Sequence, residues 1–250
     1  MRKPLIAGNW KMYKTPQESL SFLDAFLPLV VRHNRDELAL FPTMTSLGYV
    51  LDACAGSNVS VGAQNMHWLN EGPYTGQTSP TMLSSIGCSH VLLGHSELRL
   101  YFGETDERVN LKLKAAISHN FSPIVCVGES EADRNAGKTE QMLRSQICTA
   151  LRGVSAEEAE RLVIAYEPVW AIGTGSTANP HVAAEAHSII RHELGRCCSQ
   201  TLATKARILY GGSVRPENIG ALMHEEEIDG VLVGGASLDP TSFSKIVHYS

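Results

Sequence analysis

The stretch AYEPVWAIGTG (165–175) sets a carboxylate, Glu167, between an apolar run and a proline, with a glycine-spaced segment behind it. A charge at the end of an apolar run is costly to place, so it is a candidate base whose surroundings tune its proton affinity. Other groups able to do chemistry end similar runs. They are Asn9 and Lys11 in GNWK, Gln64 and Asn65, His95 and Glu97 in LLGHSE, Glu129, Ser213 in YGGS, and Gly234 and Gly235 in VGGAS. A lysine there can neutralise a phosphate or a developing oxyanion, and the neighbouring asparagine can donate a hydrogen bond. Ser96 is read as the cap of a helix starting at that point, which puts His95 near a positive helix end. That position lowers its proton affinity and leaves a neutral imidazole to donate to a carbonyl. The glycine pairs let backbone N–H groups approach a phosphate closely.

Taken singly, Lys11 reads equally as a solvated lysine, His95 as a structural histidine and each glycine pair as a tight turn. Taken together, a base, an electrophile, a cation and two phosphate loops describe proton abstraction beside the carbonyl of a small phosphorylated substrate. Pro168 and Trp170 read as the stiff stem of a lid, with Gly173 and Gly175 at its tip. Closure of such a lid desolvates Glu167 and strengthens it as a base.

Positioning these groups requires the apolar runs themselves. Eight recur: 4–10, 37–41, 59–64, 90–95, 122–129, 162–167, 206–212 and 229–235. They are spaced by about 31 residues on average, the length of one strand-plus-helix unit. Each is nearly continuous rather than alternating, as in parallel strands covered on both faces. Amphipathic segments fill the gaps at 15–33, 107–119, 139–153 and 181–196, the first with Thr15 as N-cap and Pro16 at the first helical position. The pattern predicts an α/β fold, one (β/α)8 barrel domain over residues 1–250, with eight parallel strands inside a ring of helices. An open doubly wound sheet is the alternative, but it needs a dinucleotide fingerprint. In a barrel the strands' C-terminal ends carry the site, which is where the polar groups collect.

Other chemistries fit poorly. GTGSTA (173–178) has fingerprint spacing, but PVWAI separates it from the strand end, where an immediate strand-to-helix turn is required. AGKT (136–139) lacks the first glycine of a phosphate loop, and GHSEL lacks the second glycine of a nucleophile elbow. With no HExxH motif, and with His187 and His192 five apart, neither metal nor cofactor is expected. The net charge of −5, from 21 basic and 26 acidic residues, argues against nucleic acid. Without an export signal or membrane-length apolar run, a cytoplasmic chain is expected, and its six cysteines are read as free thiols.

GNWK (8–11), LLGHSE (92–97), AYEPVWAIGTG (165–175), YGGS (210–213) and VGGAS (233–237), in this order, resemble the triosephosphate isomerase family over the whole chain. The resemblance implies cofactor-free interconversion of dihydroxyacetone phosphate and D-glyceraldehyde 3-phosphate through an enediol(ate). Glu167 would then move the proton between carbons, and His95 would polarise the carbonyl and relay protons between oxygens. Lys11 would stabilise anionic charge, Asn9 would contact the substrate, and Gly173, Ser213, Gly234 and Gly235 would hold the phosphate. Ser96 and Glu97 would support the site from behind, and segment 168–178 would exclude water. The family also implies a homodimer in which loop 65–79 carries Thr75 to the partner's Asn9–Lys11 region. Two positions depart from it: Gln77 where glutamate is common, and Leu98 where arginine is common. Another sugar-phosphate isomerase or lyase on the same barrel, or a non-catalytic phosphate-ligand protein, stays open as an alternative.

Overall fold

Residues 2–171 and 179–250 are described by the structure, a computed structural model. Eight strands run β1 (Leu5–Asn9), β2 (Glu37–Phe41), β3 (Val59–Ala63), β4 (His90–Leu93), β5 (Ser122–Val127), β6 (Val163–Tyr166), β7 (Arg207–Tyr210) and β8 (Gly230–Val233). They pair in parallel in that order, and β8 closes back onto β1. The helices between them begin with α1 (Pro16–Val30), α2 (Met44–Cys54), α3 (Pro80–Ser85), α4 (Ser96–Phe102) and α5 (Asp106–Ser118). They continue as α6 (Glu131–Asn135), α7 (Thr139–Ala150), α8 (Pro180–Cys197), α9 (Gln200–Lys205), α10 (Ile219–Met223) and α11 (Pro240–Val247). The closed barrel anticipated from the eight apolar runs is therefore present. Among the described residues, no helix is long and apolar enough to cross a membrane.

Local chemistry explains why the elements start where they do. Thr15 caps α1 by accepting Glu18 N–H, while the Glu18 carboxylate accepts Thr15 N–H at 2.8 Å, and Pro16 occupies the first turn. Strand parity then sorts each run into two faces. Leu5, Ala7, Ala39, Phe41, Leu92, Ile124, Cys126, Val163, Ala165, Leu209 and Leu232 form one cluster, the filling of the barrel. The intervening residues, such as Ile6, Leu38, Leu40, Val91 and Ile164, join the larger layer packed against the helices. Continuing the inward parity past the strand ends brings Asn9, Gly128, Glu167, Gly211 and Gly234 to the mouth. Bulky side chains fill the barrel, and glycines at its rim leave room.

His187 of α8 is fully buried, with Nδ1–H donating to the Glu227 carbonyl at 3.1 Å. Its Nε2 has no partner among the described residues. Burial pulls the imidazole's pKa down to about 4. The folded state therefore keeps it neutral while the unfolded chain takes up a proton below about pH 6.5. The unfolded state binds more protons between those two values, so acidification from pH 6.5 to 4 destabilises the fold through this group by about 3 kcal/mol. Denaturant titrations of the wild type and His187→Leu at pH 7 and pH 4 check this. The stability difference between the two proteins is expected to shift toward the variant by roughly that amount, and a pH-independent difference would refute it.

The cysteine expectation needs correcting. Cys54, Cys88, Cys126 and Cys198 are free, but Cys148 of α7 and Cys197 of α8 form a disulfide. The pairing depends on which helix faces neighbour each other, and α7 packs along α8 in the outer ring. Nothing in a spacing of 49 residues marks it.

Candidate active site

A pocket of about 400 Å3 opens at the C-terminal ends of the strands. Asn9, Lys11, His95, Glu167, Ser213, Gly234 and Gly235 all line it. Arg215 and Leu232 line it too; the sequence reading did not single them out. Leu232 had a signal, since it lies two residues before Gly234 on the same inward parity. Arg215 had none, because its place follows only from the path of the loop after β7. Gly173, with the outer part of segment 168–178, lies outside the described residues.

Glu167 is 2% exposed. One carboxylate oxygen accepts the Ser96 N–H at 2.7 Å, and the other lies 2.9 Å from His95 Nε2. Burial raises the carboxyl's proton affinity, but His95 and the Ser96 donors outweigh it, so the net shift is downward. In this arrangement those donors outweigh desolvation, the effect expected to strengthen the base when a lid closes. The carboxylate is parked in its ionised form.

His95, rather than Ser96, caps α4, its Nδ1 accepting Glu97 N–H at 3.2 Å. Burial lowers the imidazole's proton affinity, yet Glu167 raises it further, and the net direction is upward. The lowered affinity expected from a helix end therefore fails here, because an adjacent carboxylate outweighs it. Nδ1 accepts from Glu97, and Nε2–H faces the Glu167 carboxylate.

Lys11 adopts φ = 50°, a conformation uncommon outside glycine. Two neighbours hold it there. Asn9 Oδ1 accepts the Lys11 N–H at 2.9 Å, and Gln64 Nε2 donates to the Lys11 carbonyl at 2.8 Å. The ammonium then reaches into the mouth, 2.7 Å from Glu97 Oε1. Glu97 is half-exposed, so water screens that pair and leaves Lys11 available to another anion. Asn65, by contrast, is spent on Lys112 at 3.0 Å.

Glu129, outside segment 168–178, holds its stem. Its Oε1 accepts from Tyr166 Oη and Trp170 Nε1, both at 3.0 Å, and from Arg134 at 3.2 Å. Arg134 also stacks over the Trp170 ring at 4.6 Å. A fully buried carboxylate thereby fastens the turn Val169–Ala171 directly after Glu167. After β8, the short helical turn Gly235–Leu238 presents N–H groups that lack intrahelical partners, the geometry that suits a phosphate. None of Thr75, Gln77 and Leu98 lines this pocket; Thr75 and Gln77 are exposed, and Leu98 is half-buried.

Comparison with known proteins finds relatives over the whole chain. A family model described as triosephosphate isomerase matches residues 4–250. A triosephosphate isomerase of Solibacter usitatus is 50% identical over 249 residues, covering 100% of both chains. One from Carboxydothermus hydrogenoformans is 51% identical over 250 residues, again with 100% of each chain covered. One from Caldanaerobacter subterraneus is 49% identical over 249 residues, with the same coverage.

Proposed function

Because the chain belongs to the triosephosphate isomerase family, we propose that the side chains gathered at its mouth carry out that family's reaction in the roles their positions suit. The enzyme interconverts dihydroxyacetone phosphate and D-glyceraldehyde 3-phosphate, an aldose–ketose isomerisation of the kind glycolysis and gluconeogenesis use. Residues 1–250 act as one barrel domain.

The observation that carries the mechanism is the parked carboxylate. Glu167 is held by Ser96 N–H and His95 Nε2–H, the two contacts that lower its proton affinity. Once a substrate takes the His95 proton as a hydrogen bond to its carbonyl, Glu167 leaves both donors. Burial then dominates, its basicity rises, and it takes the proton from the carbon beside the carbonyl. The enediol(ate) that results is neutralised by Lys11, with Asn9 contacting the same oxygens, while His95 passes a proton between them. Glu167 returns its proton to the neighbouring carbon. Gly173, Ser213, Gly234 and Gly235 hold the phosphate through backbone N–H groups, and segment 168–178 keeps water from an intermediate that would otherwise lose phosphate. Ser96 and Glu97 orient His95 and Glu167. No cofactor takes part. A coupled assay starting from each triose phosphate tests the reading: conversion in both directions is expected, and none from either would overturn it.

The chain works in the cytoplasm as a homodimer, with loop 65–79 bringing Thr75 to the partner's mouth. Large apolar side chains left in solvent support this, Leu69 and Tyr74 on that loop and Met12, Tyr13, Tyr101 and Phe102 beyond it. Gln77 and Leu98 fit an interface from which both members of a charge pair are missing, so neither leaves a charge stranded. Leu98→Arg alone is then expected to weaken the dimer at least tenfold in sedimentation equilibrium. An unchanged or tighter dimer would refute the compensation.

A further inference from the structure

A second group of reactive side chains lies on the outer ring of helices. The Cys148–Cys197 disulfide ties α7 to α8, with a Cα separation of 5.5 Å. Both cysteines sit at or near the C-terminal ends of their helices. Helices of a (β/α)8 barrel run antiparallel to its strands, so this bond lies at the end of the barrel opposite the mouth. Both residues are half-exposed, whereas Cys54, Cys88 and Cys126 are buried. Burial pushes the Cys54 and Cys88 thiols up to about 11, which keeps them inert.

The bonded pair has the opposite surroundings. The Arg196 guanidinium lies 3.3 Å from Cys148 Sγ and 3.8 Å from Cys197 Sγ. It is aimed there by Glu193, fully buried, which accepts from Arg196 Nε at 2.7 Å and from Arg144 at 3.2 Å. Cys148, Glu193 and Cys197 also have the spacing of a cation site. The two guanidiniums already satisfy Glu193 and add positive charge, which disfavours a metal ion. Arg196 gives sulfur at Cys148 a cationic neighbour, whereas Cys197 Sγ also lies 4.0 Å from Glu193 Oε2.

We propose that Cys148 and Cys197 form a reversible redox centre whose co-reactant is a dithiol, with Arg196 stabilising the departing sulfur. A thiolate of the dithiol attacks Cys197 Sγ, the S–S bond breaks, and Cys148 leaves as a thiolate beside Arg196. The second thiol of the dithiol then attacks the mixed disulfide and releases Cys197. Two electrons and two protons pass to the protein, and the dithiol leaves as its disulfide; an oxidised dithiol runs the sequence backwards. Because the bond closes a 49-residue loop far from the mouth, the centre sets the stability of the helical shell and leaves turnover alone.

The test uses the folded full-length protein, dithiothreitol as reductant, oxidised dithiothreitol as oxidant, and alkylation followed by peptide mapping. Without reductant, Cys148 and Cys197 are expected to resist alkylation. In dithiothreitol without denaturant both label, and the oxidant restores protection. Reduction lowers Tm by roughly 8 °C, while kcat and KM stay within twofold. Cys148→Ser abolishes the redox dependence of Tm, and Arg196→Gln slows reduction of the native protein about tenfold. Labelling of both cysteines without reductant would overturn the centre, as would reduction only after unfolding. An unchanged reduction rate in Arg196→Gln would overturn the role of the cation.

Discussion

Glu167→Asp is expected to lower kcat by at least about 100-fold in both directions, with KM changed little. The side chain loses one methylene, so its carboxylate is drawn back by on the order of 1.5 Å. Glu167 issues from the end of β6, whose backbone is fixed by pairing with β5 and β7 and by Glu167 N–H donating to the Val127 carbonyl at 2.8 Å. The main chain cannot follow the shortened side chain. Proton transfer to carbon needs close approach, and a misplacement of this size costs about two orders of magnitude. In the proposed mechanism substrate affinity rests on the phosphate loops and Lys11, none of which the substitution touches. Steady-state kinetics with coupling enzymes check the result, and a thermal melt confirms the fold. A near-normal kcat would remove Glu167 from the role of base.

Gly128→Ala is expected to be nearly as damaging, although residue 128 does no chemistry. A Cβ there would overlap the Glu167 carbonyl oxygen and come within 3.3 Å of its Cα. Gly128 cannot retreat, since Gln146 clamps it from both sides. Gln146 Oε1 accepts its N–H at 2.8 Å, and Gln146 Nε2 donates to its carbonyl at 3.0 Å. The backbone of Glu167 must therefore move. A loss of about 100-fold in kcat/KM is expected, with about 1–3 kcal/mol of stability. Gly48→Ala is the control. Gly48 lies inside α2, and an added Cβ there meets nothing within 4 Å. That variant is expected to gain about 1 kcal/mol with unchanged kinetics. Wild-type kinetics in Gly128→Ala would show that the glycine does not set the position of Glu167.

The two substitutions mark the line between what sequence and structure each provide. The barrel was legible because a parallel strand covered on both faces must be apolar throughout, and eight such runs alternate with amphipathic segments. The mouth was legible because polar groups cluster where those runs end. Asn9, Lys11, His95, Glu167, Ser213, Gly234 and Gly235 were all read that way, and all line one pocket. What the runs hide on their own is parity, for a strand buried on both faces has no alternation, and only an anchor such as Gly234 at the rim shows which residues point inward.

The remaining differences concern contacts between distant parts of the chain. Ser96 and Glu167 are 71 residues apart, and their hydrogen bond exists only because β4 and β6 flank β5 in the closed sheet. That bond and His95 outweigh desolvation at the carboxylate. Glu129 looked like one more polar rim residue until Tyr166, Trp170 and Arg134 were found converging on it. Cys148 and Cys197 looked like free thiols until two helices brought them together. By itself the sequence determined which chemical groups the chain carries and how often it turns from strand to helix, since burial and backbone hydrogen bonding act locally. Only the tertiary structure decided which groups touch, and so the charge state in which each one waits, because proton affinity depends on neighbours that closure of the barrel brings from distant parts of the chain.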